Sequence, residues 1–359
     1  MIALHAAYDG SDLCIWAETT TIAEKRRGRP RRKSAPPSPY DAGDELMQVA
    51  SAAGLAASRT EALTIWLPAA GGVPFPSSPL IGEQPRAKTV ELTPWQVTAL
   101  RPSADDAWGL LTSCAENPVI SPGLVAGEDL RYWARALAYA ASLVARQQYL
   151  PGIRRTDVGF EARWEPVFAG DDAAHLNTLA AAMPPVARAL GAIDAPPEVP
   201  ARTVLATFIA GVVDRLARPR VPLPSPKHYS SLHDQWLAAL RAADGTLKGD
   251  DGEWEGFVED LHRWHEPLSV SLAAPYRLVF RLEEPEEANS RWHVRYLLQP
   301  TDDPSLLVPA SSVWKARGKK AALLQRGDTN PRDFLLAALG GAARLCPRIE
   351  ASLNSAQPA

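Results

Sequence analysis

Lys25, Arg26, Arg27, Arg29, Arg31, Arg32 and Lys33 put seven positive charges into nine residues, interrupted only by Gly28 and Pro30. Side chains of this kind, at this density, have one elementary chemistry: they bind polyanions, with ammonium and guanidinium groups replacing the counterions around phosphates. The chain as a whole carries a net charge of -3, so with +7 in this segment the remainder sums to -10. A local polyanion-binding element is therefore expected on a body that would otherwise repel nucleic acid.

The order of residues inside the segment narrows the partner. Arg27-Gly28-Arg29-Pro30 resembles the AT-hook, a short DNA-binding peptide with an Arg-Gly-Arg-Pro core. An extended backbone without a side chain at Gly28 fits the floor of a narrow A·T minor groove. Arg27 and Arg29 would reach along that groove, and Pro30 keeps the exit extended. Lys25, Arg26, Arg31, Arg32 and Lys33 would meet phosphates, and seven such contacts imply a slope of log K against log salt approaching about -6. A solvated polybasic linker with no particular partner is the alternative.

Other constellations are weaker. No Gly-x-x-x-x-Gly-Lys-Ser/Thr loop follows a candidate strand and no Asp-Glu-x-His or similar acidic box appears, so the sequence offers nothing that cradles ATP phosphates and magnesium in the known way. Arg317-Gly318-Lys319-Lys320 lacks the glycine loop and reads as a solvated basic turn. His262 and His265, one helical turn apart, with His228 and His233 upstream, lack a Cys or acid at ligand spacing. No Gly-x-Ser-x-Gly elbow exists. The expectation is a chain with no catalytic residue, no metal site and no cofactor of its own.

The elements that must carry the basic segment follow from local signals. Ile2 to Tyr8 and Leu13 to Glu18 flank Asp9-Gly10-Ser11-Asp12 and predict a β-hairpin. Residues 19–43 have no hydrophobic period and read as a disordered loop. Ala62 to Leu67 reads as a strand, and Ser103 as the cap of a helix rich in early acids. Leu130, Trp133, Leu137, Ala140, Ala141 and Val144 recur at helical spacing, with Pro151-Gly152 as the stop. The run APPEVP reads as a linker over 195–200.

Beyond the linker, helices are expected over ARTVLATFIAGVVDRLAR, LHDQWLAALRAAD and EWEGFVEDLHRWHEPL, the last closed by Pro267. Tyr276 to Leu282 and Trp292 to Gln299 predict an antiparallel pair, and Asp302-Asp303-Pro304 a turn. A terminal helix contains Gly340-Gly341, each glycine weakening it by roughly 1 kcal/mol. The expected class is α+β: an N-terminal β-hairpin, a helical middle, and C-terminal helices packed on an antiparallel sheet. The expected domains are 1–194, in which 44–194 is a mixed α/β remainder after the hairpin and loop, and 201–359.

Composition sets the frame. A hydrophobic content of 46% with 11 Trp supports a sizeable core, and Trp133, Trp164, Trp236, Trp254, Trp264, Trp292 and Trp314 are expected as core or interface anchors. The 33 Pro exceed the ordinary share of about 5% and favour short elements. Cys14, Cys114 and Cys346 are odd in number and far apart, which fits neither a disulfide framework nor a paired-thiol metal site. The N-terminus lacks a signal pattern and no run of 18 apolar residues occurs, so a cytoplasmic, nucleoid-associated location is expected and membrane insertion is not.

Several stretches together resemble a known family. FVEDLHRWHEPL, YRLVFRLEEPEE, WHVRYLLQPTDDPSLLVPASSVW and FLLAALGGAARLCPRIEASL are similar to the helicase-associated region preceding the motor in bacterial SWI/SNF-family, DEAD/DEAH-like ATP-dependent helicases. LHAAYDGSDLCIWAE, DLRYWARALAYAASLVARQQYLPG and the Ala-Ala-Met-Pro-Pro run extend the likeness over nearly the whole chain. The resemblance implies a non-catalytic accessory region whose partners are duplex DNA and a SWI/SNF-type ATPase motor, in cis or in trans. ATP and magnesium would belong to that motor, whose lobes are expected to be absent here. A protein-interaction scaffold without a DNA role is the alternative.

Overall fold

The computed structural model describes residues 1–20, 35–77, 80, 89–218, 231–273, 275–284, 292–301, 303, 305–318, 321, 324, 325 and 329–354, with the side chains of 44, 266–273 and 354 excepted. The class is α+β, and the chain divides into two compact units: Met1–Phe168 with Ala173–Trp254, and Ala169–Asp172 with Glu255–Ala359.

The first unit is organised by β1 (Ile2–Tyr8) and β2 (Leu13–Thr19), which pair antiparallel from Ile2↔Thr19 to Tyr8↔Leu13. Their turn works as its residues suggest. Asp9 Oδ1 accepts from the amides of Ser11 and Asp12, both at 2.8 Å, and Gly10 sits at φ +105°, where a side chain is strained. The short helix α1 (Leu46–Ala52) follows, then β3 (Arg59–Ala70), β4 (Val73–Pro74) and β5 (Glu91–Arg101).

Next come α2 (Ala104–Glu116), β6 (Val119–Ser121), β7 (Leu124–Ala126) and α3 (Glu128–Ala145). Ser103 caps α2 by accepting from the Asp106 amide at 3.2 Å, as its type and position predict. The sheet order is β4-β3-β5-β2-β1-β7-β6, with β1 and β7 parallel and the other pairs antiparallel.

Both faces of β1 are covered, because its side chains alternate between two cores. Leu4, Ala6 and Tyr8 join Ile15, Leu111, Trp133 and Phe208 in the larger one. Ala7 joins Trp16, Ile65, Trp95 and Val97 in the smaller. Two-sided burial explains why β1 reads as a nearly continuous apolar run rather than a clean alternation.

A hairpin not expected from sequence follows, β8 (Tyr149–Thr156) with β9 (Gly159–Pro166). Pro151-Gly152 lies inside β8 and does not stop α3, which ends earlier, at Ala145. Gly152 leaves room there for Glu165, since a Cβ would come within 2.8 Å of that side chain. Then come α4 (Asp171–Ala181), α5 (Ala201–Ala217), α6 (Leu232–Arg241) and β10 (Thr246–Leu247), which pairs with β9.

The boundary expected at 195–200 is corrected: those residues are an internal connection. The first unit runs on to Trp254 because α5 buries Leu205, Phe208, Ile209, Val212 and Val213 in the same core as β1 and α3. Arg218 ties the region together, donating to Asp214, to the carbonyls of Ala239 and Ala242 and to that of Ala162 over 2.7–2.8 Å.

The second unit holds Ala169–Asp172 and takes up α7 (Asp251–Ala273) from Glu255 onward. The helix passes through Pro267 instead of closing there; the lost donor costs one backbone hydrogen bond without ending the helix. β11 (Tyr276–Glu283) and β12 (His293–Pro300) form the expected antiparallel pair, extended by β13 (Val308–Pro309). The helices α8 (Ala310–Lys315), α9 (Pro331–Leu345) and α10 (Pro347–Asn354) complete the unit.

Asn330 caps α9 by accepting from Arg332 N at 3.0 Å, and the helix continues through Gly340-Gly341. Tyr276, Leu298, Val313, Leu335 and Leu339 form the core between sheet and helices. Asp303 accepts from the Ser305 amide at 3.2 Å, a turn of the expected kind, while Asp302 and Pro304 lie outside the described residues.

Candidate functional site

The strongest concentration of chemistry among the described residues starts at β1. Beyond Leu4, β7 no longer pairs with β1, and the N-terminus of α3 takes over its open edge. The Asp129 carboxylate accepts the amide of Ala6, and the Trp133 indole donates to the Ala6 carbonyl at 3.2 Å. Asp129 lies in the first turn of its helix, where the helix dipole favours a negative charge.

That same carboxylate holds His5. Nδ1 of His5 lies 2.8 Å from Asp129 Oδ1, and Nε2 lies 3.1 Å from Glu18 Oε2. Burial alone would push the imidazole pKa down, but the attraction and hydrogen bonds of the two carboxylates outweigh it and hold the pKa at about 10. At neutral pH, His5 is therefore an imidazolium donating from both nitrogens, stacked on Trp16 with ring centres 5.6 Å apart. With both nitrogens occupied, it offers no lone pair for a general base or nucleophile.

The fit is close. A Cβ on Gly127 would come within 2.7 Å of both Asp129 Oδ1 and His5 Nδ1, so only glycine allows this helix start. On the far side, Glu18 also accepts the amide of Ser77, at 3.1 and 3.2 Å.

The network forms one wall of a cavity of about 190 Å³. Trp16, Tyr40, Ile65, Leu67, Phe75 and Val97 supply most of the apolar lining, closed by Pro184 and Pro185. Glu18, Asp41, Glu128 and Asp129 supply four carboxylates, and no Lys or Arg lines it among the described residues. Oδ2 of Asp41 accepts from the amide and hydroxyl of Thr98 at 3.2 and 3.1 Å, while burial pushes the Asp41 pKa upward.

Lys25, Arg26, Arg27, Gly28, Arg29, Pro30, Arg31, Arg32 and Lys33 all lie outside the described residues. What is described is the chain on either side of them. The amide of Thr19 donates to Tyr40 O at 2.8 Å, and that of Ala42 to Ala17 O at 3.0 Å. Pro36 and Ser38 exchange backbone hydrogen bonds with Gln96, both at 2.8 Å. The basic segment is thus an insertion whose two feet are fixed to one sheet.

Among the described residues, no group of three or more His, Cys, Asp and Glu could hold a metal ion, and no helix is long and apolar enough to cross a membrane. Trp133, Trp236 and Trp254 are buried, Trp164 is half-buried, and Trp264, Trp292 and Trp314 are exposed. Sequence reasoning missed the His5 network because its partners are 124 and 13 residues away. The one local signal is a histidine in the middle of an otherwise apolar strand.

A scan against known protein families finds no model that matches the chain. Searches of curated proteins and of solved structures likewise find no match.

Proposed function

We propose that this chain is a non-catalytic accessory region of a SWI/SNF-type DNA helicase, binding duplex DNA through Lys25 to Lys33 and docking on the ATPase motor. The observation that carries the reading is the Arg27-Gly28-Arg29-Pro30 core set among five further cations. The fixed feet at Thr19 and Tyr40 support it, because an insertion clamped at both ends cannot drift from the body it belongs to. A short peptide that reads the minor groove gains from such tethering, since anchoring raises its effective concentration near DNA held by the motor.

Support for docking comes from the second unit. On one face of the β11/β12 pair, the register couples Leu278 with Leu298, Phe280 with Tyr296 and Leu282 with Val294. Leu298 is fully buried, whereas Phe280, Leu282, Trp292 and Val294 are exposed. Apolar side chains that leave the core toward one end of a hairpin make a surface suited to a protein partner. The same surface favours the second reading, a protein-interaction scaffold with no direct DNA role. In the first reading ATP and magnesium would act on the motor, and the location would be cytoplasmic and nucleoid-associated.

Binding of a labelled A·T-rich duplex by fluorescence anisotropy separates the two readings. Changing Arg27 and Arg29 together to Ala should weaken binding far more than changing Arg31 and Arg32, because only the first pair would lie in the groove. Equal losses would leave nonspecific charge alone, and no binding by the wild-type chain at low salt would favour the scaffold.

A further inference from the structure

We infer that the chain self-associates through β11, whose open edge pairs antiparallel with β11 of a second copy about a two-fold axis at Phe280. The strand order in the second unit is β11-β12-β13, so β11 is an edge strand. On one side it pairs with β12 without interruption, from Tyr276↔Pro300 to Glu283↔His293. On the other side, no backbone hydrogen bond reaches residues 277–283 among the described residues.

A row of open amides and carbonyls is a template for another strand, and edges that stay single usually carry a proline, a lysine or a bulge. The sequence of β11, YRLVFRLE, contains neither Pro nor Lys, and its register has no bulge. Its apolar residues are also open toward the far end: Phe280 is 43% exposed and Leu282 61%. The edge is therefore both regular and unguarded.

The side chains decide what covers it. Leu278, Phe280 and Leu282 alternate onto one face, so a second strand must match them in steps of two residues; a slip of one would set apolar against polar. With the axis at Phe280, the two Phe280 rings oppose each other, Leu282 opposes Leu278, and Arg277 opposes Glu283 at both ends. An axis at Val279 would instead set Arg277 opposite Arg281, and an axis at Arg281 would set the two Arg281 side chains against each other. The strand is thus complementary to itself in the register centred on Phe280.

Both members of the charge pair can serve. Arg277 is exposed and has no ion pair among the described residues, and Glu283 meets Arg295 through Oε2 at 2.7 Å, which leaves Oε1 to accept. The pairing would join two three-stranded sheets into one and form about six to eight backbone hydrogen bonds between the copies. Because the same patch serves on both subunits, the contact closes at two copies. The inference uses the edge of the sheet and stands apart from the DNA and motor readings.

Sedimentation equilibrium of the full chain at low salt, from about 5 to about 200 μM, tests the pairing. A reversible dimer is expected. Arg277→Glu and Glu283→Arg should each weaken it about tenfold or more, because each sets two like-charge pairs where opposite charges met. Mixed in equal amounts, the two variants should dimerise again, since every Glu then faces an Arg. Phe280→Lys, which brings two ammonium groups together at the axis, should be monomeric throughout. Thermal unfolding of each variant verifies that it is folded. The inference is overturned if the wild-type chain is monomeric at the highest concentration, if a folded Phe280→Lys protein dimerises as well as wild type, or if the mixture associates no better than either variant alone.

Discussion

The two main hairpins of this molecule differ in how they use their faces. β1 and β2 are buried on both sides, and in their midst an imidazolium is held between two carboxylates. β11 and β12 are buried at one end only, and their shared face runs from the fully buried Leu298 to Trp292, which is 56% exposed. The first hairpin is scaffold: its edge, its turn and both feet of the basic segment are fixed by hydrogen bonds. The second keeps apolar surface available. On the proposed function, the fixed hairpin would carry the DNA-reading segment and the open apolar face would meet the partner.

The contrast is broken most severely at His5. Changing His5 to Ala leaves Asp129 and Glu18 facing each other without their cation, and loss of one partner of a buried ion pair costs about 3–5 kcal/mol. Urea unfolding measures this, and a loss below about 1 kcal/mol would mean that the network is not what holds the strand edge.

The same group predicts a pH dependence. The folded state raises the His5 pKa from 6.5 to about 10, so the pairing contributes fully below about pH 6.5 and is lost as pH rises through about 10. The urea midpoint of the wild-type chain should therefore decline between pH 7 and pH 10, and the His5→Ala protein should lack that part of the decline.

Gly127→Ala is a smaller insult at the same place. The added methyl must displace the His5 or Asp129 side chain, and overpacking of this kind costs about 1–3 kcal/mol. Changing both Phe280 and Trp292 to Ser should alter stability least, by roughly 0.5 kcal/mol or less per site, because both are exposed. It should nevertheless reduce co-purification with a separately expressed SWI/SNF-type motor. Unchanged co-purification would remove this face from the docking proposal.

Where the sequence was legible, the signals were local. The Asp9-Gly10 turn, the Ser103 cap, the helix through Trp133 and the β11/β12 pair all rest on neighbouring residues, and all are present. The β8/β9 hairpin was hidden because Arg154-Arg155 break the alternation in β8 and Pro151-Gly152 imitates a terminator there, although Phe160, Ala162 and Trp164 alternate with Glu161, Arg163 and Glu165 along β9.

The run at 195–200 has the composition of a linker, yet α5 after it belongs to the first core, a long-range fact that no window of sequence contains. The cavity was illegible for the same reason. It brings together side chains from residue 5 to residue 186, and only the sheet order places them side by side.

The proposal that the basic segment reads DNA is tested most directly by the salt dependence of duplex binding. For the wild-type chain, log K against log salt should fall with a slope approaching about -6 if all seven cations of Lys25 to Lys33 meet phosphates. Changing those seven residues to Gln should remove nearly all of that slope. A wild-type slope near zero, or one that the substituted chain retains, would contradict the account.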